Sequence, residues 1–387
     1  MREKVKTSSN GLLPQRLRDA RLAKGLSIKE IADLIGLSRQ MISQYELGNV
    51  PPSPENLLKM QQIYQMPTSY YYKPYNDTPI RSQEYFRSFQ AATKSMRETA
   101  MLQSIWVTRE VIPALDSYVK LPAVDPLFAK IKNSEALDVR TERNMETLAK
   151  LVRREWDLGL GPIGNLTRIL EKRGVVVIVL SLDDKLDAFS FWEQGRPYIF
   201  VSKSNNAVRM RMSVAHELCH LLFHDAEEIE QHLKELEDEA KWFANAFLMP
   251  LGGFEKDVFS TALNQLLLLK PKWKISVQAM IMRCERLELI SEERSTYLWK
   301  QISRQRWRKA EPYDDQLETE KPVLLQQAVK LITEHGIKSR RDLVEKIALQ
   351  SDFIEQVCGL EPGFLSHEDN LVKINFSKGL HPDVNNT

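Results

Sequence analysis

The segment His216-Glu217-Leu218-Cys219-His220 sets two imidazoles four residues apart, inside an apolar run from Val214 to Phe223. A helix advances about 100° per residue, so both rings share one face, one turn apart. That arrangement presents two nitrogens to one Zn²⁺ and leaves Glu217 beside it as a general base. Five residues with two free positions recur by chance, so the rest of the ligand set matters. A catalytic zinc site wants three protein ligands and an open position. A third histidine six residues beyond His220 is excluded, because that position is Ala226. His224 continues the stripe, but on a straight helix it lies too far along to share the metal. It reads as a histidine behind the ligands or in the core.

The next helix offers carboxylates instead: Glu235, Glu237, Asp238 and Glu239. Ala240, Phe243, Ala244 and Phe247 form an inward stripe at helical spacing, and Glu239 begins it one turn before Phe243. Glu239 is therefore the favoured third ligand, and the other acids lie off the stripe or upstream. The plain alternative is an ordinary acid near a helix N-terminus. The chemistry such a site performs is metal-assisted amide hydrolysis, with Glu217 taking the proton of the attacking water. Tyr198-Ile199-Phe200-Val201 reads as an edge strand able to pair with an extended substrate. Among Arg209, Arg211 and Tyr198, nothing singles out an oxyanion donor. Cys219 reads as a small buried residue.

A second constellation lies near the N-terminus. Ser27-Ile28-Lys29-Glu30 is a capping box opening a helix that Gly36 ends, and Ser38 caps the next helix, which Gly48 ends. Ile31, Ala32, Leu37 and Ile42 supply an apolar core for this helix-turn-helix outline. The exposed face of its last helix carries Arg39, Gln40, Ser43 and Gln44. Arg and Gln are the types that make paired contacts to guanine and adenine edges. The N-terminal end of such a helix enters the major groove, and Ser38 is placed to hold a phosphate. Residues 1–75 hold 11 Lys and Arg against 6 Asp and Glu, a modest basic excess compatible with double-stranded DNA.

The elements that position these groups follow from pattern and punctuation. Val175–Leu180 is a β-branched run that reads as a buried strand. Ala188–Trp192 and Pro197–Ser202 flank Glu193-Gln194-Gly195-Arg196, a hairpin signal. Tyr70–Pro79 reads as a linker, Glu311-Pro312-Tyr313-Asp314-Asp315 as a charged linker, and residues 255–310 and 321–360 as helical. The chain has 3 cysteines, too few for a disulfide framework, which places it in a reducing compartment. No secretory h-region follows the basic N-terminus, and no run of about 18 apolar residues exists. The expectation is a cytoplasmic protein with no membrane contact.

The residues Leu26–Ala32, Leu37–Gly48 and Pro52-Ser53-Pro54-Glu55 resemble the XRE (Cro/phage repressor) DNA-binding family. That resemblance implies a buried Arg21–Glu46 pair, an operator DNA partner and a homodimer. Arg211–His224, followed by Glu239-Ala240 through Leu248-Met249-Pro250, resembles the ImmA/IrrE family of zinc metallopeptidases. Members are gluzincin-like, and several cleave XRE-type repressors under stress or during mobile-element induction. Cys219 stands where that family usually has glycine, and Lys241 where it often has asparagine. Trp273–Arg283 resembles a helical module that follows the peptidase, and Ser276–Arg283 looks like a second helix-turn-helix, with scaffolding and DNA contact both open.

The expected fold is mainly α with a small α+β zincin domain. It comprises a flexible arm (1–12), a five-helix XRE-type domain (13–75), connector helices (76–134), a metallopeptidase core with a short β-sheet (135–250), a helical segment (251–312) and a C-terminal helical domain (313–387). The expected function is a DNA-binding regulator with a zinc-dependent endopeptidase that cleaves a repressor or toxin–antitoxin partner. Two alternatives stand beside it. One is a transcription factor or antitoxin whose domain binds metal without proteolysis. The other is a self-processing regulator cut within residues 67–135.

Overall fold

The computed structural model describes residues 11–74, 93–132, 142–182, 186–224 and 226–366. Most of the expected arm (1–10) and the end of the C-terminal domain (367–387) lie outside them.

The N-terminal unit comprises α1 (Pro14–Ala23), α2 (Ile28–Ile35), α3 (Arg39–Leu47), α4 (Pro54–Tyr64) and a 3-10 turn over Thr68–Tyr72. Its ends are set locally. The Ser27 hydroxyl accepts from the Glu30 amide while the Glu30 carboxylate accepts from the Ser27 amide. Gly36 closes α2 with φ 80°, a left-handed conformation that glycine adopts without steric cost. Arg21 donates to both carboxylate oxygens of Glu46, at 2.6 and 2.8 Å, tying α1 to the end of α3. The expected linker is partly core instead: Tyr70 and Tyr71 are fully buried, and Leu13 N–H donates to the Tyr71 carbonyl. Aromatic residues without a helical period still pack when one turn of 3-10 helix delivers them to the same side.

The connector helix α5 (Lys94–Trp106) runs through a π-helical turn, Val107–Val111, into α6 (Ile112–Asp116). Two adjacent buried charges in that turn face different neighbours. Glu110 pairs with Arg16 at 2.7 Å and Lys73 at 2.5 Å, whereas Arg109 reaches Glu193 at 2.9 Å.

Strands β1 (Val176–Leu180), β2 (Ala188–Glu193) and β3 (Arg196–Ser202) form one sheet in the order β1-β3-β2. β1 and β3 are parallel, with Val177 opposite Ile199; β2 and β3 are a hairpin, with Phe189 opposite Phe200. Gln194 and Gly195 turn it with φ 49° and 76°, the twist that suits a two-residue hairpin. Tyr198–Val201 is thus the central strand, with partners on both sides. Among the described residues β2 is an outer strand of the sheet, packed beside the histidine helix.

Side chains alternate across the sheet and divide the molecule into two cores. Val177, Ile199 and Val201 pack with α7 (Pro126–Lys132), α8 (Glu142–Glu155), α9 (Leu166–Lys172), α10 (Ala207–Phe223) and α11 (Ala226–Leu248). Val176, Ile178, Tyr198 and Phe200 face the other way. Their cluster continues without a break into Leu17 and Ile31 of the N-terminal unit, Val107 and Val111 of the connector, and Leu325, Val329 and Ile354 near the C-terminus.

Beyond α11 come α12 (Phe254–Asp257), α13 (Leu263–Trp273), α14 (Val277–Arg286) and α15 (Glu292–Arg304). In α14 Val277, Met280, Ile281, Arg283 and Cys284 are buried and pack the helix into the molecule. The expected charged linker at Glu311 is built in: Glu311 accepts from the Val277 and Gln278 amides and pairs with the fully buried Lys270. Helices α16 (Leu324–Glu334), α17 (Arg340–Ile347) and α18 (Ser351–Cys358) complete the chain and pack against β1 and the connector.

Burial of Asp19 in α1 lifts its carboxyl to about 7, against the pull of the Gln15 hydrogen bond and of Arg16 and Arg18. A carboxyl raised in the folded state contributes most below its unfolded value. Its contribution declines as pH rises toward the folded value, by at most about 1.4 kcal/mol per pH unit. Asp19→Asn should therefore flatten the fall in denaturant midpoint between about pH 4 and pH 7. An identical pH profile for variant and wild type refutes this.

Candidate metal centre and nucleic-acid interface

Helix α10 lies between the sheet and α11, capped by Asn206, whose side chain accepts from the Arg209 amide. Val214, Ala215, Leu218, Cys219 and Leu222 are at most 1% exposed, so the helix is held on its apolar sides and its polar groups must find partners. His216 Nε2 and His220 Nε2 stand 3.1 Å apart. The Glu237 carboxylate lies 3.3 Å from the first and 3.6 Å from the second. One ligand atom from each of the three falls within 4.8 Å of the others. A tetrahedral zinc with bonds of about 2.0–2.1 Å holds its ligand atoms about 3.3 Å apart. Two nitrogens and a carboxylate at this spacing fit that ion.

The expected third ligand, Glu239, is elsewhere. Its Oε2 lies 3.0 Å from His224 Nε2, in the core behind the pair, and both side chains are at most 3% exposed. Glu237 is 28% exposed, with His216 at 18% and His220 at 12%. The pattern of apolar residues ranks acids by burial and so selects Glu239. An ion that must receive a substrate needs an accessible rim, and the partly exposed Glu237 is the acid that lies there beside the histidine pair. Residues 237 and 239 differ by about 200° around α11, so only one of them meets the histidine pair.

Glu217 points toward β2, where the Ser190 hydroxyl donates to its Oε2 at 2.7 Å. Burial pushes the Glu217 carboxyl up to about 7, opposed by the charge of His216 and the Ser190 hydrogen bond. Burial alone lowers His216, but its bond to Glu237 and the charges of Glu217 and Glu237 outweigh that and raise it. His220 is driven well below the usual imidazole value by burial and by His216 and His224, which favours the neutral ring that binds metal. Burial raises the Cys219 thiol well above its ordinary value, consistent with an inert packing residue. None of the three oxyanion candidates stands at the triad. Arg211 is bonded to Glu320 and the Ile163 carbonyl, Arg209 pairs with Asp187, and Tyr198 packs on the opposite face of the sheet.

Sequence reasoning passed over Ser190. The signal was there: a small polar residue between Phe189 and Phe191, on the alternate face with Ala188 and Trp192. Trp192 also faces the helix, donating from Nε1 to the Leu221 carbonyl at 3.1 Å.

At the N-terminal unit, α2 and α3 meet at the Gly36 turn, with Ile31, Ala32 and Ile42 buried beneath. Arg39 and Gln40 are exposed, and Ser43 and Gln44 are half-buried on the outer face of α3. The Ser38 hydroxyl accepts from the Met41 amide at 3.2 Å, fixing the N-terminal turn. Asn49, which sequence reading did not single out, donates to the Gln44 side chain at 2.9 Å and orients it.

Fold and sites together define a helix-turn-helix protein that also carries a domain of metallopeptidase type. Residues 17–71 match the helix-turn-helix family model, and residues 170–285 match the IrrE N-terminal-like domain of a peptidase family. The chain thus joins an XRE-type unit to an ImmA/IrrE-like domain. The second match extends past Pro250 through most of α14. Over 59 residues the chain is 34% identical to the SPbeta prophage-derived uncharacterized HTH-type transcriptional regulator YonR of Bacillus subtilis (strain 168). That match covers 15% of this chain and 55% of the relative, so this chain spans about half the length of that curated relative.

Dialysed protein should hold about one Zn²⁺ per chain. His216→Ala and Glu237→Ala should each abolish retention, measured by elemental analysis, while Glu239→Gln retains it. Loss in Glu239→Gln with retention in Glu237→Ala would reverse the assignment.

Proposed function

We propose that this chain is a cytoplasmic DNA-binding regulator whose zinc-dependent endopeptidase domain cleaves a regulatory protein partner. The observation that carries the reading is Glu217, held by Ser190 next to a His216–His220–Glu237 cluster of zinc spacing. Zn²⁺, when bound by those three residues, supplies an acidified water and a polarised scissile carbonyl.

The remaining work belongs to the protein. Glu217 takes the proton of the attacking water and returns it to the departing amine. Ser190 holds one carboxylate oxygen, leaving the other to face the reactants. β2, an outer strand of the sheet beside the histidine helix, is where an extended peptide would pair, which suits a protein substrate. Neutral His220 keeps a lone pair for the metal. The half-exposed rim at Glu237 admits a chain rather than enclosing a small molecule.

Operator recognition is assigned to α3, with Arg39, Gln40, Ser43 and Gln44 toward base edges and Ser38 toward a phosphate. A homodimer would present two such helices to the two halves of a palindromic site. The partner cleaved is a repressor or a toxin–antitoxin protein, in keeping with an XRE unit on the same chain. Among the described residues no helix is long and apolar enough to cross a membrane, and the three cysteines are free and buried.

Glu217→Gln should keep its zinc yet abolish cleavage of the partner in cells, by at least about a hundredfold, the low end of the range for a lost general base. Persistence of cleavage sinks the peptidase reading, and a regulator that works unchanged without cleavage makes the domain a metal-binding scaffold. Arg39→Ala with Gln40→Ala should remove the specific footprint on operator DNA at fixed salt. A footprint unchanged in position and strength would place recognition outside α3.

A further inference from the structure

Leading back from the proposed metal site, four side chains form a continuous hydrogen-bonded chain whose far end is buried. Glu239 Oε2 lies 3.0 Å from His224 Nε2, His224 Nδ1 lies 2.8 Å from His220 Nδ1, and His220 Nε2 faces His216 Nε2 at 3.1 Å. His224 is 1% exposed and Glu239 3%, so no bulk water completes these contacts.

The proton positions follow from what each atom can do. A carboxylate accepts only, so the His224 Nε2 must carry the hydrogen. A neutral imidazole holds one N–H and one lone pair, so His224 Nδ1 is then an acceptor. Its partner, His220 Nδ1, must therefore be the donor. His220 Nε2, the atom aimed at His216 and Glu237, is then left without a hydrogen. One acid at the far end thus decides which nitrogen of a ring two residues away is free to bind metal. The order belongs to a neutral His224; a second proton on that ring would make its Nδ1 a donor and reverse it.

We infer that Glu239 and His224 are positioning residues: through hydrogen bonds in series they hold His220 in the tautomer whose Nε2 lone pair faces the metal site. This rests on the zinc reading of the cluster, but the tautomer itself is a property of the metal-free protein. Metal-binding histidines commonly give their other N–H to a carboxylate or carbonyl directly, and losing such a partner costs about 10–100-fold in metal affinity. Here a second imidazole is interposed, which moves the acid into the core and leaves the rim to Glu237.

The test uses the full-length protein with ¹⁵N-labelled histidine. In the metal-free wild type, His220 should carry its hydrogen on Nδ1 and none on Nε2. Glu239→Leu and His224→Leu should mix the two His220 tautomers and weaken Zn²⁺ binding about 10–100-fold in chelator competition. Glu239→Gln, whose amide oxygen still accepts from His224, should restore both readouts while the neighbouring core is unchanged in volume. A hydrogen on His220 Nε2 in the wild type overturns the inference. So does a leucine variant that folds and keeps both tautomer and affinity. If a leucine variant does not fold, the wild-type tautomer and Glu239→Gln decide. A wild type with the expected tautomer but no affinity for Zn²⁺ would refute the metal reading and leave the hydrogen-bond order standing.

Discussion

The structure is organised by one constraint: α10 is largely buried, yet it carries Arg211, His216, Glu217 and His220, which must find partners. Those partners come from several elements. Arg211 takes Glu320 and the Ile163 carbonyl, His216 takes Glu237, Glu217 takes Ser190, and His220 takes His224, which takes Glu239. An unpaired charge left behind in such surroundings costs about 3–5 kcal/mol. The α10 helix therefore recruits a strand on one side, α11 on another and the segment before α16 on a third. The candidate site is the part of this network where the partners remain partly exposed.

That network also explains the reach of the C-terminal segment. Glu320 accepts from the Thr167 amide as well as pairing with Arg211, and Glu171 accepts from the Val323 and Leu324 amides. The chain after α15 is thus pinned to α9 and α10 before α16 to α18 cover the sheet face opposite the metal site. The same face continues into the helix-turn-helix core. Trp106 of the connector meets Phe353 edge-on at 5.5 Å, and Gln350 donates to the Tyr64 carbonyl. The sheet stands between the two functional ends: one face packs the metal helices, the other joins the DNA-binding unit to the C-terminal helices.

Legibility differed sharply between residues. Capping boxes, left-handed glycines and the hairpin at Gln194-Gly195 were readable because they are local: each depends on neighbours within four residues. The histidine pair was readable for the same reason, being one helical turn long. The apolar pattern favoured Glu239 because it reports burial, and it carries no information on which acid stands beside the histidine pair, where the structure places Glu237. Ser190 was passed over because its partner lies 27 residues away on another element. Tyr70 and Glu311 looked like linker residues because polar and aromatic composition does not reveal a buried partner.

By itself the sequence determined the capped helix ends of the N-terminal unit, the two imidazoles and the Glu217 between them, the outer face of α3 from Arg39 to Gln44, and the family resemblance of both units. Those properties follow from spacing along one helix, which the 3.6-residue turn converts directly into geometry. Only the tertiary structure decided which acid meets the histidines, which strand lies at the centre of the sheet, and how His224 connects Glu239 to His220. Each of these depends on the rotation of one element against another. That rotation is set by packing and by pairing of buried charges across long stretches of chain, and no local spacing encodes it.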